Sequence, residues 1–444
     1  MRKIGLSLLA IVSVAAIYYF TSGSTQLSLQ MKEHVDAQIA TLQTKGFSIS
    51  GKEIENKKEH FIISLDEPKK VATYLISKGV QVTAKDLESL KGLKIGVDVE
   101  YLANAYSAAS FDIYPLTLPT SVTSSDLSGD DKQALQQIEK MLERKVFLMH
   151  VDVNKLANGF KGYMKDIEEV IKGEKNVKVS MKALNFSGDL KNNKPSSIKQ
   201  TLESIALHVE DGTLDMTMHN LTTNYVSTGI TNYDYDTDYT VEKVKLFTDD
   251  TFDMTMKDFS MHSSSKVVNG LISVTAKTNL DSIHFKDAQQ SGSLNTLVFD
   301  MQANNFDLQA LTKLETIQAD NEAELLEVAQ QLISQGVQFN ISNFSVKQIE
   351  FDNKKLDGFT LTSTFDIDKS LDLASLEKNP LAAINAMDAN LELTLSTQLF
   401  GIIAQQPQAV MAMMLFQPKD VNGNKVYKIE LKDGTLKVND KTAM

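Results

Sequence analysis

The chain has no cysteine. That single absence excludes disulfides, thiolate metal sites, a cysteine nucleophile and a lipidated N-terminal cysteine. Proline is scarce, with seven in 444 residues beside 21 glycines, and this leaves no long flexible linker. Basic clusters are also missing. The net charge is −12, so contacts to a nucleic-acid backbone are not expected, and there is no polybasic patch for anionic lipid headgroups. The catalytic signatures are missing as well. No G-x-S-x-G elbow, no P-loop and no G-x-G-x-x-G fingerprint occurs. The seven histidines (His34, His60, His150, His208, His219, His262, His284) show no H-E-x-x-H or helical i, i+4 spacing, so they read as strand-face residues. The run Asp234, Asp236, Asp238 opens like a calcium loop. However, Tyr239 and Lys245 stand where such a loop needs Gly and Glu, so the run reads as a solvated strand face or an acidic hairpin tip. No cofactor, metal or enzymatic activity is expected.

What is present begins at the N-terminus. After Met1, Arg2 and Lys3 comes an uncharged apolar run from Ile4 to Phe20. Its 17 residues cover about 26 Å as a helix, close to the thickness of a thin membrane core. The two leading cations, with no further charge before Lys32, place the N-terminus in the cytoplasm. The expectation is a single-pass anchor in a bacterial inner membrane, with the body in the periplasm. A cleaved signal peptide ending near Ser22-Gly23-Ser24 is the alternative, and it exports the same body. With Arg2 and Lys3 set aside, the body carries −12 − 2 = −14.

Hydrophobic residues make up 42% of the chain, enough for a packed core. A helix is expected over 26–44, then strands over 47–52 and 60–65. A helix starting at Pro68 and stopping at Gly79 follows, because acidic residues and Pro suit a first turn. Strands are predicted around 93–99, 111–116 and 146–153, and an amphipathic helix over 130–145 with Leu135, Ile138 and Leu142 on one stripe. Residues 160–171 read as helical.

From Val177 onward five segments share one template, in which alternating apolar residues are followed by Asn or Asp, then Leu or Phe. The Asn/Asp positions are Asn185, Asn220, Asp258, Asn305 and Asn343. The repeat implies a stack of long β-hairpins. At each Asn/Asp the apolar set changes parity, so a kink or bulge is expected there. Between the fourth and fifth copies lies a helical insertion, with Asn321-x-x-Glu324 as a capping box. The tail shows further strands, a helical pair over 397–416 broken at Pro407, and a hairpin turning at Asp433-Gly434.

The expected fold is therefore α+β and β-dominated. It has one N-terminal transmembrane helix, then a long twisted, mostly antiparallel sheet of amphipathic hairpins with helices over part of one face. Its regions are an anchor and linker (1–24), an α+β region (25–172), the repeated hairpins (173–307) and a C-terminal α+β region (308–444). The candidate functional surface is the Met- and Phe-rich strand face: Leu214, Met216, Met218, Phe252, Met254, Met256, Phe299, Met301, Phe339 and Ile341. Methionine suits irregular apolar surfaces. An ordinary core is the plain reading of this face. The functional one is a surface for lipid acyl chains or a hydrophobic protein segment. A self-associating envelope scaffold without a ligand groove is the alternative function.

The strand ANLELTLS, the Gln/Met-rich stretch after it and the closing YKIELKDGTLKVNDK, together with the anchor, resemble the YdgA-like family of bacterial membrane-anchored envelope proteins. That resemblance implies an inner-membrane-anchored periplasmic protein and supplies no catalytic motif. The layout, without matching motifs, is also similar to that of the AsmA-type envelope proteins, whose long sheets shelter lipid.

Overall fold

The computed structural model describes residues 28–442 apart from 77–81, 83, 102–104, 124–128, 192–193, 211, 250–251, 288–289, 315–316, 318–320, 352–353, 377–378, 380 and 407–415. The expected anchor (4–20), the Gly79 helix stop and the second half of the 397–416 helical pair lie outside these residues. Among the described residues no helix is long and apolar enough to cross a membrane. The protein is β-dominated and antiparallel, and it divides into two compact units, Met1–Val226 and Ser227–Met444.

The first unit begins with helix α1 (Ser28–Thr44), which buries Met31, Val35, Ile39 and Leu42 along one face. Strands β1 (Phe47–Glu55) and β2 (Lys58–Leu65) follow, then α2 (Pro68–Ile76) and α3 (Ala84–Glu88). Next come β3 (Lys94–Tyr101), β4 (Ser107–Pro115), the short α4 (Thr120–Thr123) and α5 (Gly129–Glu143). The remaining strands are β5 (Met149–Asn154), β6 (Gly159–Met164), β7 (Ile167–Ile171), β8 (Val177–Lys182), β9 (Leu184–Lys191), β10 (Lys194–Val209) and β11 (Asp215–Ser227). β1 to β6 form an antiparallel meander, β6 pairs with β9, and β10 pairs with β8, β9 and β11.

Side chains directly opposite one another share a sheet face. One such row runs Phe61, Val97, Ile113, Met149, Met164 across five strands, and all are buried. Met31, Val35 and Ile39 of α1 and Leu142 of α5 belong to the same core, so this sheet face has a helical second layer.

Residues 160–171 are two strands, not a helix. Phe160 and Met164 point inward while Lys161 and Tyr163 are exposed, which is period-two alternation with Gly162 at the missing inward place. A Cβ on Gly162 would meet the Phe186 ring at 2.5 Å, so the ring of the neighbouring strand fills that gap. The glycine hid the alternation.

The second unit contains β12 (Tyr235–Thr248), β13 (Phe252–Val268), β14 (Leu271–Asp287) and β15 (Ser291–Asp307). The helical insertion follows as α6 (Leu308–Leu314) and α7 (Glu322–Leu332), then β16 (Val337–Phe351) and β17 (Lys354–Ile367). After α8 (Leu381–Asn385) come β18 (Met387–Ser396), α9 (Thr397–Ile403), β19 (Lys419–Val421), β20 (Asn424–Lys432), β21 (Thr435–Val438) and β22 (Lys441–Thr442). β12 to β18 pair in chain order, and β20 joins β18. Asn321 caps α7 by accepting from the Glu324 amide, as its sequence implies. Asp433 and Gly434 both have positive φ, the backbone of a tight hairpin turn.

The parity change expected in each repeat is real, and it has a collective form. In the second unit one pair is omitted at the same height from each of the five ladders that join β12 to β17, while the register on either side of it is unchanged. The omitted residues are Glu242, Asp258, Asp281, Thr296, Lys347 and Gly358, in β12 to β17. Asp258 and Thr296 are left-handed there. Because all six strands carry one extra residue at this seam, none falls out of step with its neighbours. On β13, Met254 and Met256 precede it and Phe259 and Met261 follow it, on even and then odd numbers. Ile349 above the seam packs in one cluster with Phe359 and Leu393 below it, so the apolar residues remain on one side of the sheet. The first unit has its own short seam at Ala183, Glu203 and Asn220, with Ala183 and Asn220 left-handed.

The Asn/Asp template locates this seam only in part. Asn220 and Asp258 sit on it. In the first copy Ala183, not Asn185, takes the left-handed backbone. Asn305 is left-handed at a separate bulge near the end of β15, and Asn343 lies in another bulge on β16.

Candidate functional site

The candidate strand-face residues fall into both units. Leu214 is buried in the first unit, where Met216 and Met218 stand opposite Leu207 and Ile205 of β10. The other seven lie on the apolar face of the second unit. Above the seam one row runs Val244, Met256, Ile283, Leu294, Ile349, Leu356, and the next runs Leu246, Met254, Phe285, Gly292, Phe351. Below it a row links Met261, Thr278, Phe299, Phe344 and Leu361, followed by Ala276, Met301, Ile341 and then Val274, Ala303, Phe339, Phe365. Phe299 meets Phe344 edge-on at 5.5 Å between ring centres, Phe344 meets Phe359 at 5.1 Å, and Phe306 meets Phe339 at 5.8 Å. These geometries are favourable beyond their burial alone.

The face is only partly covered. Toward one end α6 and α7 lie over β15, where Ile272, Val337, Ala310 and Val328 are fully buried. Helix α9 places Leu399, Phe400, Ile402 and Ile403 against Ile349, Phe359 and Leu393. Phe252, Met254, Met256, Phe299, Met301, Phe339 and Ile341 are all half-buried among the described residues, in contrast to the closed row of the first unit. From strand spacing and rise, the face measures about 40 Å along the strands and about 25 Å across them, close to 1,000 Å². Three shallow hollows lie on the polar side of the strands.

The polar face of the first unit carries a different arrangement, invisible in the sequence because its partners are far apart in the chain. His60, Asp98, Asp112, His150 and Tyr163 stand opposite one another on five successive strands. His60 Nδ1 lies 2.6 Å from Asp98, whose other oxygen accepts from Lys145 Nζ and Tyr114 OH, each at 2.9 Å. His150 Nδ1 lies 2.7 Å from Asp112 Oδ1, its Nε2 is 3.6 Å from Asp152, and Tyr163 stacks on its ring. Asp152 is buried and accepts the hydroxyls of Ser107 at 2.7 Å and Ser110 at 2.5 Å. Burial pushes the Asp152 carboxyl up, but these hydroxyls and the nearby cationic His150 and Lys161 outweigh it and hold the group low. Serine, histidine and aspartate therefore meet here without forming a nucleophilic triad, because the carboxylate stands between the hydroxyls and the imidazole. Among the described residues no cluster of ligating side chains is arranged to hold a metal ion.

The bond to Asp112 raises the pKa of His150 above its usual 6.5, against the opposing effect of burial. Its stabilisation is therefore fully present below pH 6.5 and is lost as pH rises through the higher folded value. The thermal midpoint of the parent is expected to exceed that of His150→Gln at pH 6, with the gap closing at alkaline pH. A gap that widens on alkalinisation would refute the assignment.

Of the acidic run, Asp234 precedes β12 instead of sharing its face. Its carboxylate accepts from the Val267 amide and from both the amide and hydroxyl of Thr231, which clasps the 228–234 turn. Asp238 bonds His262 at 2.8 Å.

Neither a protein-family model nor a curated protein nor a solved structure matches the chain.

Proposed function

We propose that this protein is a non-catalytic, inner-membrane-anchored periplasmic protein of the YdgA-like kind, and that it holds lipid acyl chains along the apolar face of its second unit. One observation supports this above the others. The face is continuous across six strands, yet Phe252, Met254, Met256, Phe299, Met301 and Phe339 on it are only half-buried among the described residues. A broad apolar face suits long, featureless chains better than a small ligand recognised by a few polar groups. The run 4–20 then serves as the membrane anchor, and it keeps the sheet within reach of its lipid.

Photo-crosslinking tests this in membranes that contain the full-length chain and a phospholipid with a diazirine in its acyl chain. Label on peptides spanning 252–261 and 337–351, lost in Met254→Asp/Met256→Asp, is the expected result. Label confined to the N-terminal run would overturn the lipid reading.

A second reading rests on the area of the same face. The footprint of the whole face, about 1,000 Å² with its helix-covered parts included, is of the same order as the ~800 Å² per partner of a standard protein interface, so a second copy packed face to face is the alternative occupant. A stable, lipid-free dimer that dissociates in the Met254→Asp/Met256→Asp protein would favour it.

A further inference from the structure

Below the seam, two successive rows on the apolar side of the second unit change character along their length. One carries Thr237 of β12 and Ser263 of β13, then Ala276, Met301 and Ile341 on β14 to β16. The other carries Tyr239, Met261 and Thr278 on β12 to β14, then Phe299 and Phe344. Tyr239 is 37% exposed, Ser263 and Thr278 are half-buried, and Thr237 is buried beside them. We propose, on the acyl-chain reading of this face, that the lipid held there is an uncharged amphiphile. Its hydroxyl or ester oxygens meet Tyr239, Ser263 and Thr278, and its chain lies over Phe299, Met301 and Ile341.

Charge decides against an anionic headgroup. From β12 to β17 the apolar side below the seam carries no charged side chain among the described residues. The seam residues on the three hydroxyl-bearing strands, Glu242, Asp258 and Asp281, are acidic and repel an anion. The covering helices α6, α7 and α9 add one cation, Lys313, which is paired with Glu327 at 3.7 Å. The carboxylate of Asp234, which precedes β12, is buried and taken up by Val267 and Thr231. A phosphate or carboxylate here would find no counter-ion, in a chain whose net charge of −12 opposes it. Hydroxyls remain as the polar groups, and each can both donate and accept a hydrogen bond. They suit neutral oxygens, which lose far less than an unpaired charge when water is displaced. Tyrosine fits such a boundary, since its ring is apolar and its tip polar. Phe299 and Met301 continue the same rows, so one molecule meets both kinds of group along a single line.

The test offers the full-length chain in membranes two probes in parallel, a diacylglycerol and a phosphatidylglycerol that carry the same diazirine acyl chain at equal mole fraction. Label on the N-terminal run 4–20 serves as the reference for local lipid concentration. Relative to it, diacylglycerol is expected to label peptides 252–261 and 337–351 about tenfold more than phosphatidylglycerol does. Tyr239→Phe/Ser263→Ala/Thr278→Val removes the hydroxyls and keeps the shapes of the side chains. That protein should retain the parent thermal midpoint and the parent label from phosphatidylglycerol, while its preference for diacylglycerol falls to about threefold or less. Equal label from the two probes in the parent, or an unchanged preference in the triple variant, would overturn the uncharged amphiphile and leave the acyl-chain reading standing. Label from neither probe on these peptides would remove both.

Discussion

Phe61→Ala is expected to cost the first unit about 3–5 kcal/mol, while Met254→Ala costs the second less than about 1.5 kcal/mol. Phe61 is fully buried in the row that also contains Val97, Ile113, Met149 and Met164, beneath a helical layer that includes α1. Truncation there removes apolar burial and leaves a cavity that the strands on either side cannot close. Met254 is only half-buried in its row, so solvent already reaches the side chain and less burial is lost. Urea denaturation followed through a reporter in each unit measures both. Equal costs at the two positions would mean that the methionine face is covered, and the acyl-chain reading would fall with it.

Gly358→Ala is expected to destabilise the second unit by more than about 3 kcal/mol, beyond the usual range for added core volume. A Cβ at Gly358 would lie 1.8 Å from the Val346 carbonyl oxygen. That neighbour is backbone, so strands β16 and β17 would have to separate where the seam crosses them. Gly401 in α9 is the matched control. No atom lies within 4 Å of its Cβ position, and alanine there is expected to stabilise by about 0.5–1 kcal/mol through helix propensity. A Gly358→Ala protein that unfolds with the parent midpoint would show that the two strands are less closely apposed than described.

Much of this architecture was legible in the sequence because its signals are local. Pro68 opens α2, Asn321 caps α7, and Asp433-Gly434 turns the final hairpin, each through chemistry confined to a few residues. The alternating Met and Phe residues gave the strands and their apolar side. The seam was legible only where a residue type marks it. Asp258 and Asn220 tolerate a left-handed backbone, whereas Thr296, a β-branched residue for which that backbone is unfavourable, gave no warning. Lys347 and Asp281 are set by the height of neighbouring strands, a property that no single segment encodes. The same limit hid the pairing of His60 with Asp98 and of His150 with Asp112, residues 38 positions apart in each case.

The seam also sets a rule for how such a chain can grow. A duplicated hairpin joins the array in step only if it brings its own spare residue at the matching level. Loss of one spare residue shifts half a strand by one place and turns its oily side toward water. Insertions and deletions are therefore expected to be tolerated in whole hairpins and at their tips, and rejected as single residues within an arm. The array behaves like a zipper whose teeth share one irregular link, and its length is free to vary while its stagger is not.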